Sequence, residues 1–391
     1  MDYKELLKEA QDMKEELVSL RRSLHQMPEL DLNLPKTSAF VQEELKKLGV
    51  SYKLLVNGSC VVAEIGKGEK CFLLRSDMDG LPMAEETGLP FASKNGCMHA
   101  CGHDLHATTL LGAAKLLKRH EAELPGVVKL VFQPGEETFN GAKAAVEDGL
   151  LENPHVDAAF AMHVSSGVSP MCIGYGADPM AAVYGFQIDL EGVGGHGSTP
   201  ELGVDPINTG VHIYLALQEL LAREIPAAKE AALTIGQFAA GSASNIIPQT
   251  ARLQGTLRVF DKELREYLIR RIGEVVEGVA ATYRTKAKLT VICDVPAVHN
   301  DEALSKEFLA CLHEMKPDEK LLPIYHVMGS EDFAFISERV PSCYFAMGAA
   351  VEDPSKILGH HNPKTLFNED CLPTAVAAYT CVACEWLKNH A

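Results

Sequence analysis

The sequence predicts an α/β protein, with a main domain built on a mostly parallel sheet with helices on both faces and an inserted ferredoxin-like α+β domain. Two observations carry that prediction. Between residues 60 and 165, apolar runs of strand length alternate with helical stretches, the pattern of parallel strands joined by crossovers. From about residue 180 the order becomes strand, helix, strand, strand, helix, strand, complete in itself, and α/β material returns afterwards. The boundaries that follow are 1–180 and 296–391 for the main domain and 181–295 for the insertion.

In chain order, residues 2–24 and 37–48 carry helical periodicity, and Gly49 is a plausible stop for the second helix. The prolines in LHQMPELDLNLP mark the loop between them. Strands over 60–66 and 71–76 follow, joined by Lys67-Gly68-Glu69-Lys70. The second runs into Asp77-Met78-Asp79-Gly80-Leu81-Pro82, where two carboxylates share one face if the extended conformation continues. A plain turn is the other reading of that stretch.

Residues Cys97 to Thr108, CMHACGHDLHAT, crowd thiols, imidazoles and a carboxylate into one short stretch. Thiolate and imidazole are ligands that zinc and similar divalent metals prefer, and Gly102 lets Cys101 and His103 point at one spot. Taken alone, the stretch also fits a free buried cysteine among unrelated histidines. LHATTLLGAAKLLKRH then reads as a helix. The apolar strand at 127–133 is broken by Pro134-Gly135 just before Glu136 and Glu137, and a strand at 157–165 delivers His163 near its end. In parallel sheets the ligand crevice lies at the carboxyl ends of the strands. Asp77, Asp79, Cys101, His103, Glu136, Glu137 and His163 all fall after or near strand ends, and this convergence favours a metal site.

In the insertion the expected elements are a strand (183–191), a helix (206–222), strands (231–238 and 251–260), a helix (262–283) and a strand (287–294). Gly192-Val193-Gly194-Gly195-His196-Gly197 matches a dinucleotide fingerprint, but a loop through Pro206 stands where the helix must open, so the match is weak. The nucleophile elbow, the zincin motif and the P-loop are absent. Late in the chain, GHHNPK sets His360 and His361 in a turn.

The 391 residues allow two or three domains, and 47% hydrophobic with 23% charged residues reads as globular and soluble. A net charge of −17 disfavours nucleic acid and anionic membranes as partners. The charged opening MDYKELLKEAQDMKEEL does not read as a signal peptide, and no apolar run is long enough to span a bilayer. Eleven scattered cysteines suit a reducing cytoplasm, and Cys381 and Cys384 read as helix packing rather than a redox pair.

RRSLHQMPEL, LRSDMDGLPM, MHACGHDLHATTLLGAAKLL, QPGEE, AMH, GGHGSTPELGVDPI, NIIPQTARLQGTLRVF, MGSEDF and HNPKTLFNED occur in that order over essentially the whole chain. Together they resemble the amidohydrolase family of dinuclear metallo-aminoacylases, which includes hippurate hydrolase, the plant auxin-conjugate hydrolases and N-acetyl-diaminopimelate deacetylase. The resemblance implies two divalent metal ions per subunit (zinc, manganese, cobalt or nickel), held by Cys101, His103, Glu137, His163 and His361. His361 rather than His360 is implied because it stands two before Pro363. Glu136 matches the general base, Asp79 a supporting carboxylate, and Asp77 stands where related families place a ligand histidine. His196 matches a histidine that reaches an active site across a dimer; Asn245 and Arg258 match substrate-holding positions. The main domain is then catalytic and the insertion a lid and dimerisation domain. The implied reaction is hydrolysis of the amide bond of N-acyl amino acids, with a dipeptidase or carboxypeptidase of the same chemistry as the alternative. One departure is Pro200-Glu201, where the family usually has Pro-His, which bears on substrate preference.

Overall fold

The computed structural model describes residues 2–170, 172–323 and 326–391. The chain forms two compact units, one of Met1–Pro179, Val298–His326 and Asp332–Ala391, the other of Met180–Ala297 with Val327–Glu331. The first unit opens with α1 (Tyr3–Asp12), α2 (Lys14–His25), α3 (Pro35–Lys47), β1 (Tyr52–Leu55), β2 (Cys60–Gly66) and β3 (Cys71–Asp77). It continues through α4 (His103–Arg119), β4 (Val127–Gln133), α5 (Gly141–Glu147), β5 (Ala158–Ser165) and β6 (Cys172–Gly174). The second unit holds β7 (Ala182–Glu191), β8 (Gly195–His196), α6 (Pro206–Glu219), β9 (Ala231–Ala240), β10 (Ile246–Ile247), β11 (Thr250–Val259), α7 (Lys262–Thr282) and β12 (Lys286–Val295). The chain then returns through α8 (Glu302–Met315), β13 (Lys320–Leu322), α9 (Ala334–Ser337), β14 (Ser342–Gly348) and α10 (Leu372–His390).

Where the sequence predicts one helix over 2–24, the structure has two. The break is at Met13, whose φ of −90° and ψ of 1° leave the helical range. Both pieces keep their buried stripes, Leu6 and Ala10 on α1, Leu17 and Leu24 on α2.

The first unit's sheet has eight strands in the order β1-β2-β4-β3-β5-β14-β6-β13. Its centre, β4, β3, β5 and β14, is parallel throughout. The edges are mixed, because β1 runs antiparallel to β2, β2 to β4 and β6 to β14. A mainly parallel sheet therefore holds for the centre, and the short β1–β2 link shows why it fails at one edge: only antiparallel neighbours can be joined by so tight a turn. β2 and β3, consecutive in sequence, are not neighbours, since β4 lies between them. The central strands are buried on both faces and are mostly apolar, interrupted by Arg75 on β3 and Lys129 on β4. α10 is buried over almost its whole length and packs against α1, α4, α8 and β3, which accounts for Cys381 and Cys384 as core residues. Asp77, Gln133, Ser165 and Gly348 end the four parallel strands at one edge of the sheet, where a parallel sheet opens its crevice.

In the second unit the sheet order is β12-β7-β11-β9, antiparallel at every pairing, with connectivity β-α-β-β-α-β. Burial along β11 alternates, so Leu253, Leu257 and Val259 enter a core shared with Ile213 and Leu217 of α6 and Leu268, Ile272 and Val276 of α7. Asp205 and Asp261 cap the two helices with their side chains.

A buried ionic cluster braces the start of α4. Asp104, in its first turn, takes Arg21 Nε at 2.7 Å and His25 Nδ1 at 2.8 Å, while His25 Nε2 lies 3.0 Å from Glu85 Oε1. Burial pulls the His25 pKa down, but Asp104 and then Glu85 prevail and hold it above the usual histidine value. A raised folded-state pKa stabilises fully below the unfolded value of about 6.5 and loses that contribution as pH rises through the folded value. His25→Gln is therefore expected to lower Tm, with a larger deficit at pH 6 than at pH 9. Thermal melts of both proteins across that range check it, and an equal deficit at every pH would count against the cluster.

Candidate metal centre

The site is assembled where α4 begins. Gly102, with φ +86°, precedes His103, and a Cβ built on it would lie 2.4 Å from Val164 Cγ2. Glycine is required there both by the left-handed backbone and by the close approach of β5. That turn aims Cys101 and His103 at the strand ends. Cys101 Sγ is 3.4 Å from His163 Nε2, and Cys101, His103 and His163 offer ligand atoms within 4.8 Å of one another. A second group of the same kind joins Cys101, Glu137 and His361, and a third joins His103, Glu136 and Glu137. The six residues Cys101, His103, Glu136, Glu137, His163 and His361 thus converge, five of them the implied ligands and the sixth the implied base.

The hydrogen bonds fix which nitrogen each histidine presents. His163 Nδ1 faces the Val164 carbonyl at 2.6 Å and must donate to it, so Nε2 turns a lone pair toward Cys101. His106 Nε2 accepts from Val164 N at 2.9 Å, so its Nδ1 carries the proton and donates to Asp77 Oδ1 at 2.5 Å. His103 is wholly buried, with Nδ1 at 3.5 Å from Asp79 Oδ1 and Nε2 at 3.9 Å from both Glu136 Oε2 and Glu137 Oε1. Neither of its nitrogens makes a hydrogen bond, and Glu137 Oε1 is a buried oxygen in the same position. Leaving such groups unmade costs about 1–3 kcal/mol each, whereas a cation between them satisfies all at once. Thiolate, imidazole and carboxylate at this spacing form the donor set of a zinc-like divalent ion.

Burial pushes the Cys101 thiol and the Asp79 carboxyl up and holds His163 well below the usual histidine value. Glu137 is also pushed up by burial, but His361, 3.3 Å away, and His103 outweigh this and bring it down. His163 is thus neutral and ready to ligate, whereas Cys101 needs a compensating cation to ionise.

Asp79 holds the loop that carries both glutamates, accepting from Glu136 N and Glu137 N at 3.0 Å each. The sequence alternative of a plain turn at 77–82 misses this role. Asp77 is held by Arg75 Nη1 at 2.7 Å and by His106, and its Oδ1 lies 3.8 Å from His103 Nδ1, so it forms a further group of converging ligand atoms with His103 and His106. Arg75 also reaches Asp332, and Gln133 Nε2 donates to both Asp332 oxygens at 2.8 and 2.9 Å, while Ala142 N donates to Oδ2 at 2.7 Å, so Asp332 ties β3 and β4 to the start of α5. Arg75, Gln133 and Asp332 are not singled out by sequence. A charged Arg75 inside the apolar run CFLLRS is the signal that could have found this brace.

In the second unit, His196 pairs with Ile246 across the β8–β10 ribbon, and Gly197 N donates to the Asn245 carbonyl, so His196 and Asn245 are neighbours. His196 Nδ1 accepts from Ser198 N at 3.1 Å and faces Ser198 Oγ at 2.7 Å, which leaves the proton on an exposed Nε2. Arg258 is not brought to them. It sits near the far end of β11, donating to Met328 O at 2.9 Å and Ser330 Oγ at 3.0 Å. Arg258 lies eight positions along β11 from Thr250 at the ribbon end, on the order of 26 Å at about 3.3 Å per residue.

Fold and site together describe an α/β protein with a cluster of candidate metal ligands at the carboxyl edge of a parallel sheet, on loops, at the end of β5 and at the start of α4. Residues 73–385 match the model of peptidase family M20/M25/M40, and the chain belongs to that family. It is 38% identical over 378 residues to an Arabidopsis thaliana IAA-amino acid hydrolase (ILR1-like 4), covering 95% of this chain and 86% of that one. It is 37% identical over 340 residues to the N-acetyl-L-cysteine deacetylase of Bacillus subtilis, covering 86% and 81%. Among solved structures, a Bacillus subtilis dinuclear metal-binding peptidase of family M20 superposes with a TM-score of 0.81 at 31% identity, covering 97% of this chain and 99% of that one.

Proposed function

We propose that this chain hydrolyses the amide bond of N-acyl amino acids, releasing a carboxylate and a free amino acid, with two divalent metal ions bound per subunit. The observation that carries the reading is the unbonded, buried His103 and Glu137 Oε1 facing Glu136. The ligand groups overlap at Cys101, one with His103 and His163 and one with Glu137 and His361, which suits a pair of adjacent ions. The relatives named as hydrolases and deacetylases of amino-acid conjugates, and the structure named as a dinuclear peptidase, support the same assignment.

Bound metal supplies Lewis-acid polarisation of a carbonyl and acidifies water. Glu136 takes the water proton and delivers it to the leaving amine. Asp79 keeps Glu136 and Glu137 in register by holding both backbone amides. His196, with its proton on Nε2, donates to the oxyanion, and Asn245 beside it and Arg258 hold the substrate.

A small N-acyl amino acid cannot span the β11 length between Arg258 and the His196–Asn245 pair within one unit. We read the protein as a homodimer through the second unit, so that His196 and Asn245 serve a partner's site. The exposed stripe Ile207, Val211, Tyr214 and Leu215 on α6, with exposed Phe238 on edge strand β9, is the apolar surface such a dimer would cover. Eleven free cysteines suit a cytoplasmic protein, and among the described residues no helix is long and apolar enough to cross a membrane.

The test is to chelate and dialyse the purified protein, restore zinc, manganese, cobalt or nickel, and assay a panel of N-acyl amino acids and dipeptides. Turnover should vanish on chelation and return with metal. Full activity in metal-free protein would falsify the reading. Preference for dipeptides would favour carboxypeptidase chemistry, which a Saccharolobus solfataricus relative named thermostable carboxypeptidase 1, 34% identical over 392 residues, makes the second candidate.

A further inference from the structure

His360, the histidine that the resemblance passes over, faces the same sulfur as the ligands. Its Nδ1 lies 3.4 Å from Cys101 Sγ. Its Nε2 lies 3.2 Å from Ser166 N, whose hydrogen points at it. A backbone N–H can only donate, so Nε2 is the acceptor and holds no proton. In the neutral ring the proton is then on Nδ1, and Nδ1–H points at the thiol sulfur. An Nδ1 carrying a proton has no lone pair to give a metal. Among the described residues, the groups of converging ligand atoms around Cys101 do not include His360.

The ring has little room to swing into another role. It stands edge-on to Phe367, with centroids 5.4 Å apart, and lies 5.2 Å from the His163 ring. Ser166 is fixed in turn, its Oγ donating to the Leu358 carbonyl at 2.8 Å. The same short turn thus presents two adjacent histidines to the Cys101 neighbourhood with different chemistry: His361 converges with Cys101 and Glu137 as a ligand group, whereas His360 meets the sulfur through a protonated Nδ1.

We propose that His360 is a positioning residue that donates a hydrogen bond from Nδ1 to the Cys101 thiolate, setting how strongly that sulfur binds the metal. An N–H donor withdraws charge from a thiolate and stabilises it against protonation, while fixing the direction of its remaining lone pairs. Loss of such a partner typically costs about 10–100-fold in metal affinity. The inference rests on the metal reading above, and its test separates the two.

The experiment compares the wild type with His360→Leu, His360→Asn and Cys101→Ala after loading with cobalt. Leucine removes the donor, whereas asparagine restores an N–H near the Nδ1 position. The readouts are the sulfur-to-cobalt charge-transfer band in the near ultraviolet and zinc affinity by chelator competition. In His360→Leu the band should move to longer wavelength, because a sulfur without the donor gives up its electron more readily. Zinc affinity should fall about 10–100-fold, and His360→Asn should recover both. A purely structural role would not move the band. An unchanged band and affinity in His360→Leu overturn the proposal while leaving the metal site standing. A band that is missing from the wild type, or that survives Cys101→Ala, removes the thiolate from the metal and overturns both.

Discussion

Glu136→Ala is expected to lower turnover by roughly 10²–10⁴-fold, the usual cost of a lost general base, with metal content near that of the wild type. The side chain lies within 3.9 Å of His103 Nε2, yet the backbone, through Glu136 N to Asp79, holds the loop. Alanine keeps that backbone bond, so the loop and its neighbour stay in place. Glu137→Ala differs: it removes the partner of His361 at 3.3 Å and the carboxylate that converges with Cys101 and His361, so metal is lost first and activity with it. Metal analysis of both variants beside kcat separates the roles. Metal loss in Glu136→Ala with retention in Glu137→Ala would mean the two neighbours have exchanged functions.

Much of this site can be read in the sequence because its residues lie at strand ends, where an apolar run stops and a polar loop begins. Glu136 and Glu137 follow β4 at Pro134-Gly135, and His163 lies on β5 two residues from its end. The cysteine loop is legible for another reason: no apolar stripe accounts for Cys101 and His103. The strand order of the second unit was legible too, because antiparallel strands with one buried face alternate visibly along β11.

What stayed hidden depends on pairing across the sheet. The place of β4 between β2 and β3 cannot be read from a chain in which β2 and β3 are consecutive. β6 and β13 are three residues each, too short to show a period. The brace of Arg75, Gln133 and Asp332 joins residues up to 257 positions apart, and only the fold brings them together. His360 is visible in the sequence beside His361, but no role for it can be read there. The difference between them is set by Ser166 N, 194 residues away.

His196→Ala is expected to lower kcat with fold and metal content unchanged, because the five proposed ligands, Cys101, His103, Glu137, His163 and His361, all lie in the other unit and the His196 side chain is exposed. Losing one oxyanion donor costs about 3–4 kcal/mol in well-studied enzymes, or on the order of 10²–10³-fold in kcat. Ser198 is part of the argument. By donating to Nδ1 through its backbone N–H it keeps the proton on Nε2, the atom that must face the oxyanion. If His196 serves a partner's site, mixing inactive His196→Ala with inactive Glu136→Ala subunits should restore part of the activity. Each mixed dimer then holds one site in which both groups are intact. The mixture is assayed after subunit exchange has been demonstrated with differently tagged chains. No recovery under those conditions would mean that the histidine acts within its own chain or not at all, and that the dimer reading has lost its catalytic basis.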